Sequence, residues 1–329
     1  MGENRTYTFA DADHYAASFG DARVELTITG RGNFKAQLTK VRVNHLELFG
    51  CRETLPRIAH ISLPPDRVFL SFPLTAYSTI NGFGWRKNDI ALHGSAETTH
   101  QRSTRELQWG LISIPSEQLA SSGAALMGWP IPLPQATTIL RPPRQDAMRF
   151  QHLFRGACRL AARRSRLVEG SEVSRSLEQE MLHAIVHCLT ADEIGDRLET
   201  RRHHVAVMGR FEDALTERFD RKIALPEICA EIEVPERTLR MCCTEFTGVS
   251  PMRYALLQRL NRARAALRRA DPSTTSVTEI ARSHQFLELG RFAGIYRATF
   301  GESPSTTLQR SPLASQAGRA APTVRAESA

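Results

Sequence analysis

Long apolar runs are missing from this sequence. No stretch reaches the roughly 18 consecutive apolar residues that a membrane-spanning helix needs. The opening residues Met-Gly-Glu-Asn-Arg are not followed by the apolar segment of a secretory signal. We therefore expect a cytoplasmic protein that has no membrane partner.

The motifs of several metal and nucleotide sites are also missing. The six cysteines show no Cys-x-x-Cys spacing and no Cys/His pair at zinc-finger intervals, which argues against a zinc finger or a disulfide framework. There is no Walker A motif and no Rossmann glycine-rich loop, since Gly82-Phe-Gly84 alone is too short to indicate one. These absences predict a protein without catalytic residues, metal ligands or a cofactor.

The composition is that of an ordinary globular protein with an excess of positive charge. Of the 329 residues, 41% are hydrophobic and 24% are charged, and this length favours two domains. Lys and Arg number 43 against 35 Asp and Glu, which gives a formal net charge of +8. Such a charge indicates an anionic partner, although an arginine-rich genome explains it equally well.

The N-terminal part has the pattern of a small β-barrel. From residue 23 to about residue 115, apolar and polar residues alternate in short runs that Gly, Pro, Asn and Asp separate. A helix is expected over 116–127, and a proline-rich connector follows it. We predict one domain over 1–189, a β-barrel to about residue 115 that becomes helical from about residue 145.

Two amphipathic helices are expected over 145–167 and 174–189. They could pack on the barrel or form the interface of a homodimer, and the sequence favours neither. Residues 190–206 are polar and are predicted to be a linker. The tail over 311–329 is rich in Ala, Ser and Pro and is predicted to be disordered.

An internal repeat dominates the C-terminal third. Glu227-Ile228 matches Glu279-Ile280 at an offset of 52, and Gly248-Val-Ser-Pro251 matches Gly301-Glu-Ser-Pro304 at an offset of 53. Each unit is predicted as a short helix, a tight turn and a longer helix that ends at the glycine. This is the helix-turn-helix arrangement, in which the second helix enters the major groove of DNA.

A long helix is expected between the two units. Ser250 is predicted as its N-cap and Pro251 as its first residue, and it runs to about Ala270. Some 20 residues span roughly 30 Å, which is close to one turn of B-DNA. Its arginines are candidate phosphate contacts, with a solvated charged face as the alternative; they are Arg259, Arg262 and Arg268, beside Arg264 and Arg269.

Several motifs fall in a known order. The segments that carry it are Glu227-Ile-Cys-Ala230, Phe246-Thr-Gly-Val-Ser-Pro251, Arg259-Leu-Asn-Arg-Ala-Arg-Ala-Ala-Leu267, Thr278-Glu-Ile-Ala281 and Phe300-Gly-Glu-Ser-Pro304. Over 207–310 they resemble the AraC/XylS family of bacterial transcription regulators. The resemblance implies a seven-helix DNA-binding domain, usually of an activator that works with RNA polymerase. It also implies a cupin-like N-terminal domain that senses a small molecule or mediates dimerisation.

Carried over to this sequence, the resemblance gives two recognition helices. The first exposes Glu236, Arg237, Arg240, Met241 and Thr244, and the second exposes Glu288, Gly290, Arg291 and Arg297. Here the family's common arginine and core aromatic are replaced by Met241 and Cys243, and a frequent arginine of the second helix is replaced by Gly294. The base preference of relatives is therefore not transferable. The predicted fold class is α+β, a cupin-like barrel followed by an all-α DNA-binding domain.

Two alternatives stay open at this point. One is a metal-dependent cupin-like enzyme fused to a DNA-binding module, for which His93, Glu97 and His100 form the compact group that the barrel offers. The group lacks the His-x-His spacing common in metal cupins. The other is a cysteine-based DNA-repair regulator, which needs a cysteine cluster where the β region has Cys51 alone.

Overall fold

Two antiparallel sheets form the N-terminal half. The computed structural model describes residues 4–75, 78–94, 98–129, 131, 136–163, 171–190, 198–218 and 224–310. Its strands are β1 (Arg5–Phe9), β2 (Arg23–Ile28), β3 (Ala36–Val43), β4 (Leu46–Glu53), β5 (Arg57–Ser62), β6 (Arg67–Pro73), β7 (Ser78–Ile80), β8 (Phe83–Trp85), β9 (Ile90–Leu92), β10 (Thr98–Ser103), β11 (Leu107–Pro115) and β12 (Thr138–Leu140).

The strands divide into a larger and a smaller sheet. The larger has the order β1-β3-β4-β11-β6-β9-β12 and the smaller has the order β2-β5-β10-β7-β8. Within the described ranges no ladder joins the two sheets, so the expected barrel consists of two open sheets around one apolar interior. The expected fold class, a β domain followed by a helical domain, is confirmed.

Helices cover the larger sheet. The short helix α1 (Ala12–Ala16) precedes β2, and α2 (Ser116–Met127) follows β11. The amphipathic pair is α3 (Arg144–Arg163) and α4 (Ser171–Thr190); α3 contacts α4 and the strands β1, β3 and β4. The rings of Phe150 and Phe154 meet Phe72 edge-on, 4.7 and 4.8 Å between centroids. Of the two positions left open for these helices, packing on the sheets is the one observed.

The C-terminal part contains seven described helices. They are α5 (Leu198–Glu217), α6 (Leu225–Glu231), α7 (Glu236–Thr247), α8 (Pro251–Arg269), α9 (Val277–Ser283), α10 (Leu289–Phe300) and α11 (Pro304–Gln309). Helix α5 begins inside the segment 190–206 that the sequence suggested as a linker. The tail over 311–329 lies outside the described residues. Among the described helices, none combines the length and the hydropathy that a membrane span requires.

Candidate nucleic-acid interface

The sequence repeat is a repeat of structure. Helices α6 and α9 begin 52 positions apart, at Leu225 and Val277, whereas α7 and α10 begin 53 positions apart, at Glu236 and Leu289. The extra residue of the second unit therefore lies in its turn. Both turns contain a residue with a positive φ, Glu233 at 54° and Gln285 at 62°.

Equivalent hydrogen bonds hold the two turns. The backbone N–H of Val234 donates to the carbonyl of Cys229 (3.0 Å), as that of Phe286 donates to Ala281 (2.9 Å). Each longer helix then ends at a left-handed glycine, Gly248 or Gly301, with φ near 80°. Because the turns and the stops match, both units have the helix-turn-helix form that the repeat predicted.

Helix α7 has one buried and one exposed face. Its buried side chains are Leu239, Cys242, Cys243 and Phe246, which recur at the three- and four-residue spacing of a helix. All five predicted DNA contacts of this helix are exposed. Arg240 donates to Glu236 one turn earlier (Nε to Oε1, 2.7 Å), while the guanidinium of Arg237 pairs with none of the described side chains. The exposed face thus offers one free and one paired cation.

Helix α10 has the same organisation. Phe292, Tyr296 and Phe300 are buried and pack ring to ring, 5.6 and 4.7 Å between successive centroids. The predicted contacts Glu288, Gly290, Arg291 and Arg297 are exposed, and Glu288 is the N-cap residue. Neither Arg291 nor Arg297 is paired through its side chain within the described ranges. The arrangement leaves two cations available to an anionic partner. Ile295 of the same helix is half-buried.

The arginines of α8 have other partners. Arg268 donates to the carboxylate of Asp11 (2.9 Å) and Arg262 lies 3.9 Å from that of Glu25, so both pair with the N-terminal domain. Arg259 is half-buried, with its guanidinium 4.8 Å from the ring centroid of Phe286, and burial lowers its pKa. These three candidate phosphate contacts are therefore engaged within the protein.

Helix α8 is docked on the edge of the smaller sheet. The side-chain amide of Asn261 accepts from the backbone N–H of Ile28 (3.0 Å) and donates to the carbonyl of the same residue (3.1 Å). Strand β2 is the outermost strand of that sheet, so Asn261 pairs with backbone groups that a neighbouring strand would otherwise bind. The link between the domains thus uses specific polar contacts.

A largely apolar cavity lies between the two sheets. Leu26, Ala59, Ile61 and Leu111 line it beside a buried ion pair, Arg57 with Glu53 (2.7 Å). Further donors complete this ion pair: Tyr15 and Trp109 donate to Glu53, and Arg57 also donates to both side-chain and backbone oxygens of Gln101. Every charge beside the cavity is therefore already satisfied within the protein.

His93 provides the main uncharged polar group of this cavity. Its Nε2 lies 2.7 Å from the hydroxyl of Ser71, and its Nδ1 lies 3.5 Å from those of Thr99 and Thr137. Burial lowers the pKa of His93 to about 4, so the imidazole is neutral at neutral pH.

The histidines of the candidate cupin-like metal group are not brought together. His93 lies in the cavity, whereas His100 contacts Glu212 of α5 on the other side of the smaller sheet (2.8 Å). Successive residues of a strand point to opposite faces, and the cavity-lining Thr99 and Gln101 flank His100. Glu97, the third member, lies outside the described residues. Sequence reasoning missed His60 and Glu212, the actual neighbours of His100, because strand register and domain docking bring them there.

Comparisons with known proteins agree with this geometry. A helix-turn-helix domain family matches residues 228–310. The chain is 38% identical over 101 residues to a probable thc operon regulatory protein of Rhodococcus erythropolis, covering 31% of this chain and 30% of that protein. It is 38% identical over 94 residues to the XylDLEGF operon transcriptional activator 2 of Pseudomonas putida, covering 29% of this chain and 60% of that one.

A solved structure spans more of the chain. The AraC-like transcriptional activator CuxR aligns with 78% of this chain and 94% of its own, at 14% identity and a TM-score of 0.42. The chain spans less than two thirds of either curated relative, and both matches fall in the C-terminal region.

The repeat, its turns and the family match over 228–310 define the C-terminal domain as a double helix-turn-helix DNA-binding domain. This C-terminal domain is of the type found in AraC/XylS-family regulators.

Proposed function

We propose that this protein is a sequence-specific transcription regulator of the cytoplasm, and an activator rather than an enzyme. The observation that carries the proposal is the pair of structurally matched units, each with an exposed helix that presents at least one arginine unpaired among the described side chains. Helices α7 and α10 enter two successive major grooves on one side of the duplex. RNA polymerase is the partner through which a bound activator of this kind acts.

Within this proposal, the two recognition helices have different roles. Arg237 and Arg240 of α7 read base edges, because a bidentate contact of arginine to guanine is the commonest specific contact in the major groove. Glu236, Met241 and Thr244 shape the same surface. Arg291 and Arg297 of α10, beside Glu288 and Gly290, contribute phosphate contacts that fix the register on the duplex.

The arginines of α8 join the DNA contacts after the domains separate. In the docked arrangement Arg262 and Arg268 are paired with N-terminal carboxylates. A phosphate contact by either arginine requires that pair to break, which makes docking a competitor of DNA binding. Arg259 stays stacked on Phe286, so of the three arginines it is the least available to a phosphate.

The cavity between the sheets is the proposed effector site. Its apolar lining and fully satisfied ion pair favour an uncharged, largely apolar small molecule. The cavity measures about 30 Å³, enough for one water molecule, so such a ligand enters only when the two sheets move apart. His93 and Ser71 supply the hydrogen-bonding group that orients it. Homodimerisation through the outer surface of α3 and α4 is a further part of the proposal, since the exposed side chains of Met148, Leu160 and Val173 lie there.

The test is duplex binding by the full-length protein at two salt concentrations. Affinity should fall steeply with salt, because each neutralised phosphate releases counterions. The double variant Arg237→Ala, Arg291→Ala should lose most of the affinity for the duplex. The control Arg149→Ala removes a cation of α3 that is paired with Glu180, and it should bind like the wild type. Binding that is insensitive to salt and to the double variant would reject the proposal.

A further inference from the structure

Two histidines lie side by side on the outer face of the smaller sheet. His60 of β5 and His100 of β10 are direct partners in the antiparallel ladder, so their side chains point to the same face. Their ring centroids are 4.9 Å apart, with 26° between the ring planes. The neighbouring residues Ala59, Ile61, Thr99 and Gln101 point the other way and line the cavity.

A carboxylate of the DNA-binding domain contacts this pair of histidines. Glu212 of α5 accepts from Nε2 of His100 (2.8 Å), and one potential ligand atom from each of the three residues lies within 4.8 Å of the other two. Tyr254 and Gln258 of α8 donate to the two oxygens of Glu212, at 2.6 and 2.8 Å. Side chains of the DNA-binding domain thus hold the carboxylate in place, next to the histidines of the β domain.

One buried atom of this cluster lacks a hydrogen-bond partner in the part of the chain that the structure describes. Nε2 of His60 is buried and is hydrogen-bonded to none of the described residues. A buried polar atom without a partner is costly to the folded protein, and a bound ion can supply the contact that such an atom lacks. Burial also lowers the pKa of His60, which keeps the imidazole neutral, the form that binds metals.

We propose that His60, His100 and Glu212 bind a divalent transition-metal cation of the Zn²⁺ type, which ties the β domain to the DNA-binding domain. Two imidazole nitrogens and one carboxylate oxygen are a common protein ligand set for Zn²⁺, and water takes the fourth position. On binding, Nε2 of His100 exchanges its bond to hydrogen for a bond to the metal, and the proton that it shared with Glu212 passes to solvent.

The position of the cation gives it a structural role. It joins strands β5 and β10, whose opposite faces line the cavity, to helix α5, which precedes the first recognition unit. Tyr254 and Gln258 orient the carboxylate from outside the ligand set, as partners of metal ligands commonly do. Occupancy of the site should therefore stabilise the interface between the domains and raise the melting temperature of the protein.

The test uses the full-length protein after treatment with a chelator, titrated with Zn²⁺ by calorimetry. We expect one tight equivalent per chain and a higher melting temperature with Zn²⁺. His60→Asn removes a ligand whose Nε2 is bonded to none of the residues described, and it should weaken binding at least about tenfold. The matched control is His187→Asn, because His183 and His187 form an accessible pair on α4 with 3.3 Å between their Nε2 atoms.

Three results would overturn the proposed Zn²⁺ site. Absence of stoichiometric Zn²⁺ binding overturns the proposal, and so does a tight site that His187→Asn removes while His60→Asn leaves it intact. If circular dichroism shows His60→Asn to be unfolded, Glu212→Gln replaces it, since this variant keeps the size of the side chain and removes the charge. Tight binding that survives Glu212→Gln in the folded protein also overturns the proposal.

Discussion

Arg237 is the exposed cation of the first recognition helix whose guanidinium is unpaired among the described side chains. Arg237→Ala should weaken binding to the preferred duplex by about 1–3 kcal/mol, because one bidentate contact to guanine is lost. The loss should be concentrated at one base pair, so selectivity there should relax. Competition binding with single-base variants of the preferred duplex measures this effect.

The control for Arg237 separates reading from simple attraction. Arg175→Ala removes an exposed cation of α4, far along the chain from either recognition helix, and should leave selectivity unchanged. If Arg237→Ala weakens all sequences equally and lowers the salt slope by about one, then Arg237 is a phosphate contact. That result contradicts its proposed role in base reading.

His93 makes folding depend on pH. Its pKa is about 4 in the folded protein and about 6.5 when exposed, so the unfolded chain binds more protons between these values. The free energy of unfolding should therefore fall as the pH drops from 6.5 to 4, by about 2 kcal/mol between pH 7 and pH 5. Urea unfolding at both pH values measures this fall.

Substitution of His93 isolates its share of the pH dependence. His93→Gln keeps a hydrogen-bonding group next to Ser71 but does not titrate, so its stability should change less between pH 7 and pH 5. An identical fall in the variant and the wild type would show that other groups cause the acid sensitivity.

Some single residues could be assigned from the sequence and others could not. The exposed residues of α7 follow from helical spacing once Leu239 and Phe246 are assigned to the core. The partners of His100 do not follow, since they depend on the register of β5 with β10 and on the docking of α5. Interactions across 112 positions leave no local pattern in the sequence.

At the scale of elements, one glycine inside α10 and the glycine that follows its last residue have opposite roles. Gly301 ends the helix with φ at 80°, a conformation that costs other residues about 1–2 kcal/mol. Gly294 lies inside the helix, where an added Cβ meets no atom within 4 Å. Gly301→Ala should lower the free energy of unfolding by about 1 kcal/mol, and Gly294→Ala should raise it by about 0.5–1 kcal/mol.

Chemical denaturation of both variants beside the wild type tests this contrast. Each substitution adds the same methyl group to the same helix, so only backbone conformation and position differ. A stabilising Gly301→Ala would contradict the role of that residue as a left-handed helix stop.

An ion pair between Asp11 and Arg268 helps to hold α8 against the N-terminal domain. Asp11→Asn keeps an N-cap for α1 but removes the charge that pairs with Arg268. If Arg268 binds phosphate after the domains separate, DNA affinity should rise up to about fivefold, since a partly exposed ion pair contributes about 1 kcal/mol or less.

Removing any carboxylate also raises net charge, so this prediction needs a matched control. Glu47→Gln breaks an exposed pair with Arg42 within the β domain and changes the net charge equally. Equal effects of both variants on affinity, measured by fluorescence anisotropy, would contradict a specific competition between Asp11 and DNA.

Helices and turns could be predicted well wherever local chemistry sets them. The stops at Gly248 and Gly301 and the first residue Pro251 fall where the sequence indicates. The start of α5 was not foreseen, because its polar first turns lack the apolar periodicity that marks a helix. The division of the strands into two open sheets also escaped prediction, since alternation gives a strand its faces but not its neighbours.

At the scale of the whole molecule, the smaller sheet connects two functions. One face of β5 and β10 lines the proposed effector cavity, and the other contacts the DNA-binding domain through His60 and His100. A ligand that shifts these strands therefore acts directly on the interface between the domains. The order of the two domains could be predicted from the internal repeat and from the change of composition along the chain. The contact between the domains through His60 and His100 could not, because it joins segments that are distant in the sequence.

One chain is proposed to present two recognition helices to successive major grooves. Selection of the full-length protein on a random-sequence duplex pool, followed by sequencing, measures whether it does. We expect two short motifs about 10 base pairs apart, with enrichment that weakens as salt rises. A folded protein that enriches no sequence, or a single motif without a second at that spacing, would contradict binding by two recognition helices.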